Sequence, residues 1–341
     1  MRKAQMVTLV SLLNTVLLVG CGTEPAQRVF GPTAKQVQPA ESRLGHDTDP
    51  EWSPWSEPAS LGPIVNSSSH DIGPELSPDG LSLYLTSDRP GGLGGFDLWA
   101  SRRTCLECPW QSPVDLGPNI NSPGGDGSPG FSADGHLLFF SSPRDGGFGG
   151  DDIWVTHREN VDDDFAWGAP VNLGPEVNTA EDETGPLLLP NHRGFGHHTL
   201  YFSRGGSILQ VELKRHGEAV GPAVPVEELN FPGVNNTDPT VSADGRELIF
   251  WSTRPGGVGG ADLWFATRGS ARDPWSAPQN LGAPVNTVGT DFTPALSRDG
   301  TTLFFAAGAN ARPTLGFQDI WMSTRTRLSR HHHEDDRHGR D

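Results

Sequence analysis

The sequence predicts an all-β chain, a five-bladed β-propeller of repeats about 55 residues long, closed by an N-terminal strand that completes the last blade. Three observations carry this reading. The pattern S-x-D-G, then L-x-F, then D-(I/L)-W recurs at near-constant spacing. Its central strand is apolar at every position. A fourth-strand motif stands before the first repeat and has no counterpart after the last.

Clear copies run Ser77–Trp99, Ser132–Trp154 and Ser242–Trp264, and a fourth with a rewritten loop runs Ser297–Trp321. The closing Trp moves by 55 residues from Trp99 to Trp154, by 110 to Trp264 and by 57 to Trp321. The double step hides a degenerate copy, Leu189–Val211.

Within each repeat the first strand ends at S-x-D-G, where Asp-Gly signals a hairpin. The second strand is Leu83-Tyr84-Leu85, Leu138-Phe139-Phe140, Leu248-Ile249-Phe250 or Leu303-Phe304-Phe305. With no polar alternation, both of its faces are buried, as in a blade packed between two neighbours. The third strand carries Asp97-Leu98-Trp99 and its copies. The fourth is the W-x-x-P-x-x-L-G string, Trp110–Gly117, Trp167–Gly174 and Trp275–Gly282, with Ala219–Leu229 as a weak copy. The orphan WSEPASLG, Trp55–Gly62, is placed to supply the outer strand missing after Trp321. Such closure removes exposed sheet edges.

The termini read differently. Residues 1–20 carry Arg2 and Lys3, an apolar stretch from Met6 to Val19, and Leu18-Val19-Gly20 before Cys21, a run that resembles the bacterial lipoprotein cleavage box. The resemblance implies a lipid on Cys21, a membrane attachment through it, and a place in the cell envelope at the outer membrane. Residues 21–50 read as a flexible tether, 51–325 as the propeller, and 326–341 as a disordered, charged, His-rich tail. The net charge of −17 and the lack of a basic stripe argue against nucleic acid as a partner.

The repeat resembles the TolB-type propeller repeat. Its fuller strings, R-P-G-G-x-G-G-x-D and the V-N-L-G-P-E-V-N-T of Val171–Thr179, resemble repeats of envelope lipoproteins that often carry an OmpA-type domain. TolB itself has six blades and an N-terminal α/β domain. Five copies, with no OmpA-like segment after Arg325, therefore imply neither a Tol role nor peptidoglycan binding. The resemblance implies a lipid-anchored envelope propeller, and with no catalytic motif legible it reads as a non-enzymatic protein-binding or scaffold module with an envelope protein as partner. The alternatives are a glycan or small-ligand binding propeller, and a five-bladed glycoside hydrolase.

Candidate sites follow from the repeat. Asp71, Asp126, Glu183, Asp238 and Asp291 precede the first strands and could form an acidic ring at a channel mouth, a socket for a cation or a basic partner. Arg89, Arg144, Arg204 and Arg254 recur just after the second strands, so local pairing is the reading favoured for these acids. The Gly-Gly-x-Gly-Gly loops lack the Lys-Ser/Thr and helix of a phosphate cradle and read as turns. The third repeat breaks the pattern with His192, Arg193, His197 and His198, a possible metal or anion loop set against a plain solvated one. Cys105 and Cys108 read as a local disulfide, with a zinc half-site, a redox pair or free thiols left open. No asymmetric acid pair, Gly-x-Ser-x-Gly elbow or complete metal motif is legible, and no cofactor is expected.

Overall fold

A computed structural model describes residues 51–190 and 197–328. They form five four-stranded antiparallel sheets in a ring, one per repeat, with a single short helix, Gly62–Val65. The inner strands are Asp71–Leu76, Gly127–Phe131, Glu183–Pro190, Asn236–Val241 and Asp291–Leu296. The third repeat is a full blade whose Gly205–Gly206 turn replaces the long glycine loop, pairing Arg204 with Ser207.

Closure follows the sequence. Ala59–Ser60 pair with the third strand of the last sheet, Ala59 opposite Met322 and Ser60 opposite Trp321. One further pair lies beyond it: Glu51–Trp52 against Arg327–Leu328, two residues that the sequence reading gave to the tail. Trp52 and Trp55 both stack on Arg325, at 4.2 and 4.4 Å, which fastens the N-terminal segment to the last blade.

The core lies between blades. Tyr84 and Leu98 of the first blade pack with Phe131, Phe140, Trp154 and Trp167 of the second, and Tyr201 of the third packs with Phe250, Trp264 and Trp275 of the fourth. The second strands are almost wholly buried, as their unbroken apolar runs require. Truncating one such Leu or Phe to Ala removes about 2–5 kcal/mol.

The repeated polar residues are scaffold. Asn66, Asn121, Asn178, Asn230 and Asn286 each accept an N–H from, and donate to the C=O of, a third strand, as Asn178 does with Ile153 at 2.8 and 2.9 Å. The Asp of D-(I/L)-W gathers the glycine loop: Leu93 N–H donates to Asp97 at 2.9 Å, and Phe148 N–H to Asp152 at 2.6 Å. Close approach then demands glycine. A Cβ on Gly92 would lie 1.9 Å from the Asp97 carboxylate, and one on Gly94 would lie 2.5 Å from the Gly124 carbonyl of the next blade.

Candidate functional site

The structure divides the five ring candidates. Asp71, Asp126, Glu183 and Asp291 are buried at the start of their inner strands, and each is paired with an arginine of its own blade. Arg144 reaches Asp126 at 2.5 Å, Arg204 reaches Glu183 at 2.6 Å, and Arg89 holds Asp71. In the fifth blade the partner is Arg312, at 3.5 Å from Asp291, an arginine that the sequence reading did not name. Each acid also accepts an N–H from the residue four before it, as Ser122 gives Asp126 and Thr287 gives Asp291. These four are therefore local braces.

Asp238 is not one of them. In the fourth blade the bracing place belongs to Asn236, which takes Arg254 at 2.6 Å. Asp238 stands two residues further along, directly before Pro239, and so projects at a different level of the channel. The column of prolines Pro74, Pro129, Pro186, Pro239 and Pro294 fixes the register.

At that level every inner strand carries a β-bulge. In the first blade pairing jumps from Ile72 opposite Thr86 to Glu75 opposite Tyr84, and the same shift recurs in the other four. The residue before each proline has positive φ: Gly73 at 54°, Ser128 at 51°, Gly185 at 60°, Asp238 at 51° and Thr293 at 45°. A branched residue such as Thr293 is strained there. Proline suits the unpaired bulge because it has no N–H to leave unsatisfied. The preceding N–H groups bind across blades: Gly73 to the Thr293 hydroxyl at 3.2 Å, Ser128 to Thr86 at 3.0 Å, Asp238 to Ser203 at 3.0 Å.

This ring pinches the channel to a cavity of about 30 Å³, room for one water. Two carboxyls without equivalents in the other blades line it, Glu75 and Asp238. Each keeps a little surface toward the narrow channel while protein surrounds it. Burial pushes the Glu75 carboxyl up to about 8, against a hydrogen bond from the Phe131 backbone. Burial raises Asp238 as well, against the Trp251 indole N–H that donates to it at 2.6 Å. Sequence reasoning named Asp238 only as one of five like acids and did not name Glu75 as a site residue. The signal was present in the proline column: four acids precede their proline by three residues, and Asp238 precedes its own by one. Past the ring, Glu75 reaches an apolar funnel of about 200 Å³ lined by Leu76, Phe131, Leu188 and Val241.

Larger spaces lie between blades. A cleft of about 820 Å³ separates the third and fourth, with Tyr201, Gln210, Arg268 and Trp275 on its walls. Another of about 600 Å³, between the second and third, is lined by His136, His157, His198 and His216. Burial lowers the pKa of His198, and His197 lies 3.4 Å from Glu212. His192 and Arg193 fall outside the described residues, as does Cys21. Among the described residues no group of three His, Cys, Asp or Glu is placed to hold a metal. Cys105 and Cys108 are joined in a disulfide in the first blade.

Fold and site together define a five-bladed β-propeller with a blocked channel and open clefts between blades. The fold is shared with solved structures at low identity. The catalytic domain of a GH62 α-L-arabinofuranosidase from Coprinopsis cinerea matches with a TM-score of 0.54 and 12% identity, over 81% of this chain and 98% of that one. The Bacillus subtilis arabinanase Arb43A matches with a TM-score of 0.52 and 14% identity, over 77% and 96%. A putative TolB from Agrobacterium tumefaciens gives a looser likeness, with a TM-score of 0.40 and 19% identity over 70% of each chain. No family model and no curated protein matches the chain.

Proposed function

We propose that this chain is a ligand-binding propeller of the bacterial cell envelope that takes a glycan-sized small molecule in the cleft between its third and fourth blades and does not hydrolyse it. One contrast carries the reading. The cavity that holds Glu75 and Asp238 has room for a water and none for a sugar, whereas the cleft, at about 820 Å³, falls in the usual range of ligand sites. Glycoside hydrolysis needs a carboxyl on each side of a bound glycosidic bond. The arabinofuranosidase and arabinanase activities belong to the neighbours; their likeness contributes the fold alone.

The test joins calorimetric titration of the purified protein with oligosaccharides to a hydrolysis assay on arabinofuranosides. Binding without turnover is expected. Turnover that disappears in both Glu75→Gln and Asp238→Asn would restore the hydrolase reading. Anchoring through Cys21 is part of the proposal, and incorporation of a fatty-acid probe that persists in Cys21→Ser would refute it.

One observation favours an envelope protein as a second kind of partner. Leu93, Phe148, Val258 and Leu315 are about half exposed on equivalent loops of four blades, so each of these blades presents one apolar side chain at the same place. Crosslinking in envelope fractions, with these four changed to Ser, separates that reading from small-ligand binding.

A further inference from the structure

Four blades share one device. An arginine after the third strand stacks on the tryptophan that opens the fourth: Arg103 on Trp110 at 4.4 Å, Arg158 on Trp167 at 4.3 Å, Arg268 on Trp275 at 3.9 Å, Arg325 on Trp55 at 4.4 Å. In all four the Nε donates to the carbonyl of the turn glycine, at 2.8 Å to Gly80, 2.9 Å to Gly135, 2.6 Å to Gly245 and 2.8 Å to Gly300.

The outer guanidinium nitrogens have different fates. Arg158 meets Asp164 at 3.1 Å, Arg325 meets both oxygens of Glu247, and Arg103 donates to the Leu106 carbonyl. Those of Arg268 have no acceptor among the described residues. Arg268 also walls a second cleft, of about 440 Å³, toward the fifth blade.

The interface between the first two blades shows what is missing. There Asp164, buried to 1% exposure, accepts from the Ser82 hydroxyl at 2.7 Å and the Tyr84 hydroxyl at 3.1 Å, and pairs with Arg158. Trp167 Nε1 donates to the Tyr84 oxygen at 3.1 Å. A relay thus runs from indole to phenol to carboxylate.

Between the third and fourth blades the same aromatic pair recurs. Tyr201 and Trp275 lie 6.5 Å apart at 69°, against 6.5 Å and 71° for Tyr84 and Trp167. The carboxylate is absent. Arg268 and Trp275 are seven positions apart where Arg158 and Trp167 are nine, so the loop is two residues shorter. Trp275 is 5% exposed, and its Nε1 is buried without an acceptor. An indole N–H in that state costs stability until something accepts from it. The cleft opens at this place. Its other charged side chains, Glu212, Glu228, Arg272 and Asp273, are all exposed.

We propose that the cleft binds a ligand carboxylate in the place that Asp164 fills between the first two blades, held by the Arg268 guanidinium and the Tyr201 hydroxyl, with Trp275 donating to Tyr201. The proposal rests on the ligand-binding reading above and adds the group that is recognised.

Calorimetric titration of the whole protein tests it with three probes: digalacturonic acid, its neutral dimethyl ester, and N-acetyl-alanyl-glutamate. The acid should bind at least tenfold more tightly than the ester. Tyr201→Phe keeps the packing and removes one donor, and should weaken the acid about fivefold while leaving the ester unchanged. A ligand-free readout stands beside these. Replacing residues 269–274 with residues 159–166, Asp164 included, should raise the melting temperature and abolish acid binding. Equal affinity for acid and ester would overturn the carboxylate proposal and leave the ligand-binding reading intact. Binding of the peptide alone would uphold the carboxylate and overturn the glycan. Failure of all three probes, with a grafted loop that does not stabilise, would overturn both.

Discussion

Glu75→Gln separates the pH dependence of this propeller from its packing. In the unfolded chain a glutamate ionises above 4.5; in the channel the carboxyl holds its proton up to about 8. Between those values the folded state binds more protons than the unfolded one, so stability falls as pH rises. At about 1.4 kcal/mol per pH unit the loss reaches roughly 5 kcal/mol by pH 8. Asp238, raised by the same burial, contributes in the same direction. Glutamine keeps the shape and an acceptor for the Phe131 N–H but does not titrate. At pH 4.5 the variant should match the parent within about 1 kcal/mol. At pH 8.5 it should be more stable by several kcal/mol. Urea unfolding followed by tryptophan fluorescence across this range measures both, with the slope against urea unchanged. Parallel stability curves for parent and variant would show that Glu75 ionises freely in the folded channel and would refute the argument.

The other predictions concern scaffold. Asn236→Asp gives Arg254 the ion pair of the other blades, yet it places an oxygen where the amide now donates to the carbonyls of Gly206, Phe231 and Val234; urea unfolding should show a loss of at least about 1 kcal/mol. Asp164→Ala strands the buried guanidinium of Arg158 and should cost about 3–5 kcal/mol in the same assay. A chain beginning at residue 63 lacks the closing strand, Trp52 and Trp55, and should melt well below the parent; a difference of a degree or two would sink the closure argument. Asp126→Asn weakens the Arg144 brace and should lower the melting temperature without changing ligand affinity per folded molecule, whereas unchanged stability with lost binding would make this acid a recognition residue.

The repeat made the architecture legible because its constraints are local and occur several times. Asp-Gly sets a turn, an unbroken apolar strand needs two buried faces, and an orphan fourth-strand motif at one end needs a partner at the other. Each of these acts within a few residues, or between the two ends of the ring, and the structure keeps the apolar second strand, Leu200-Tyr201-Phe202, even in the degenerate third blade. The channel acids were not legible in the same way. Asp238 matches the other acids in type and approximate place; the proline column shows its offset of two residues, and the bulge before each proline shows that this offset carries it from a brace into the channel lining. Glu75 looks like an ordinary polar residue ahead of a turn until five inner strands converge around it and leave it little contact with water. The open place between the third and fourth blades is set by distance across an interface. A loop shorter by two residues removes a carboxylate from a site whose other members, Tyr201, Arg268 and Trp275, lie on two blades. Sequence alone determined which elements form, because that depends on neighbours along the chain. Tertiary structure alone decided which polar groups are left without partners, because burial and pairing depend on neighbours in space.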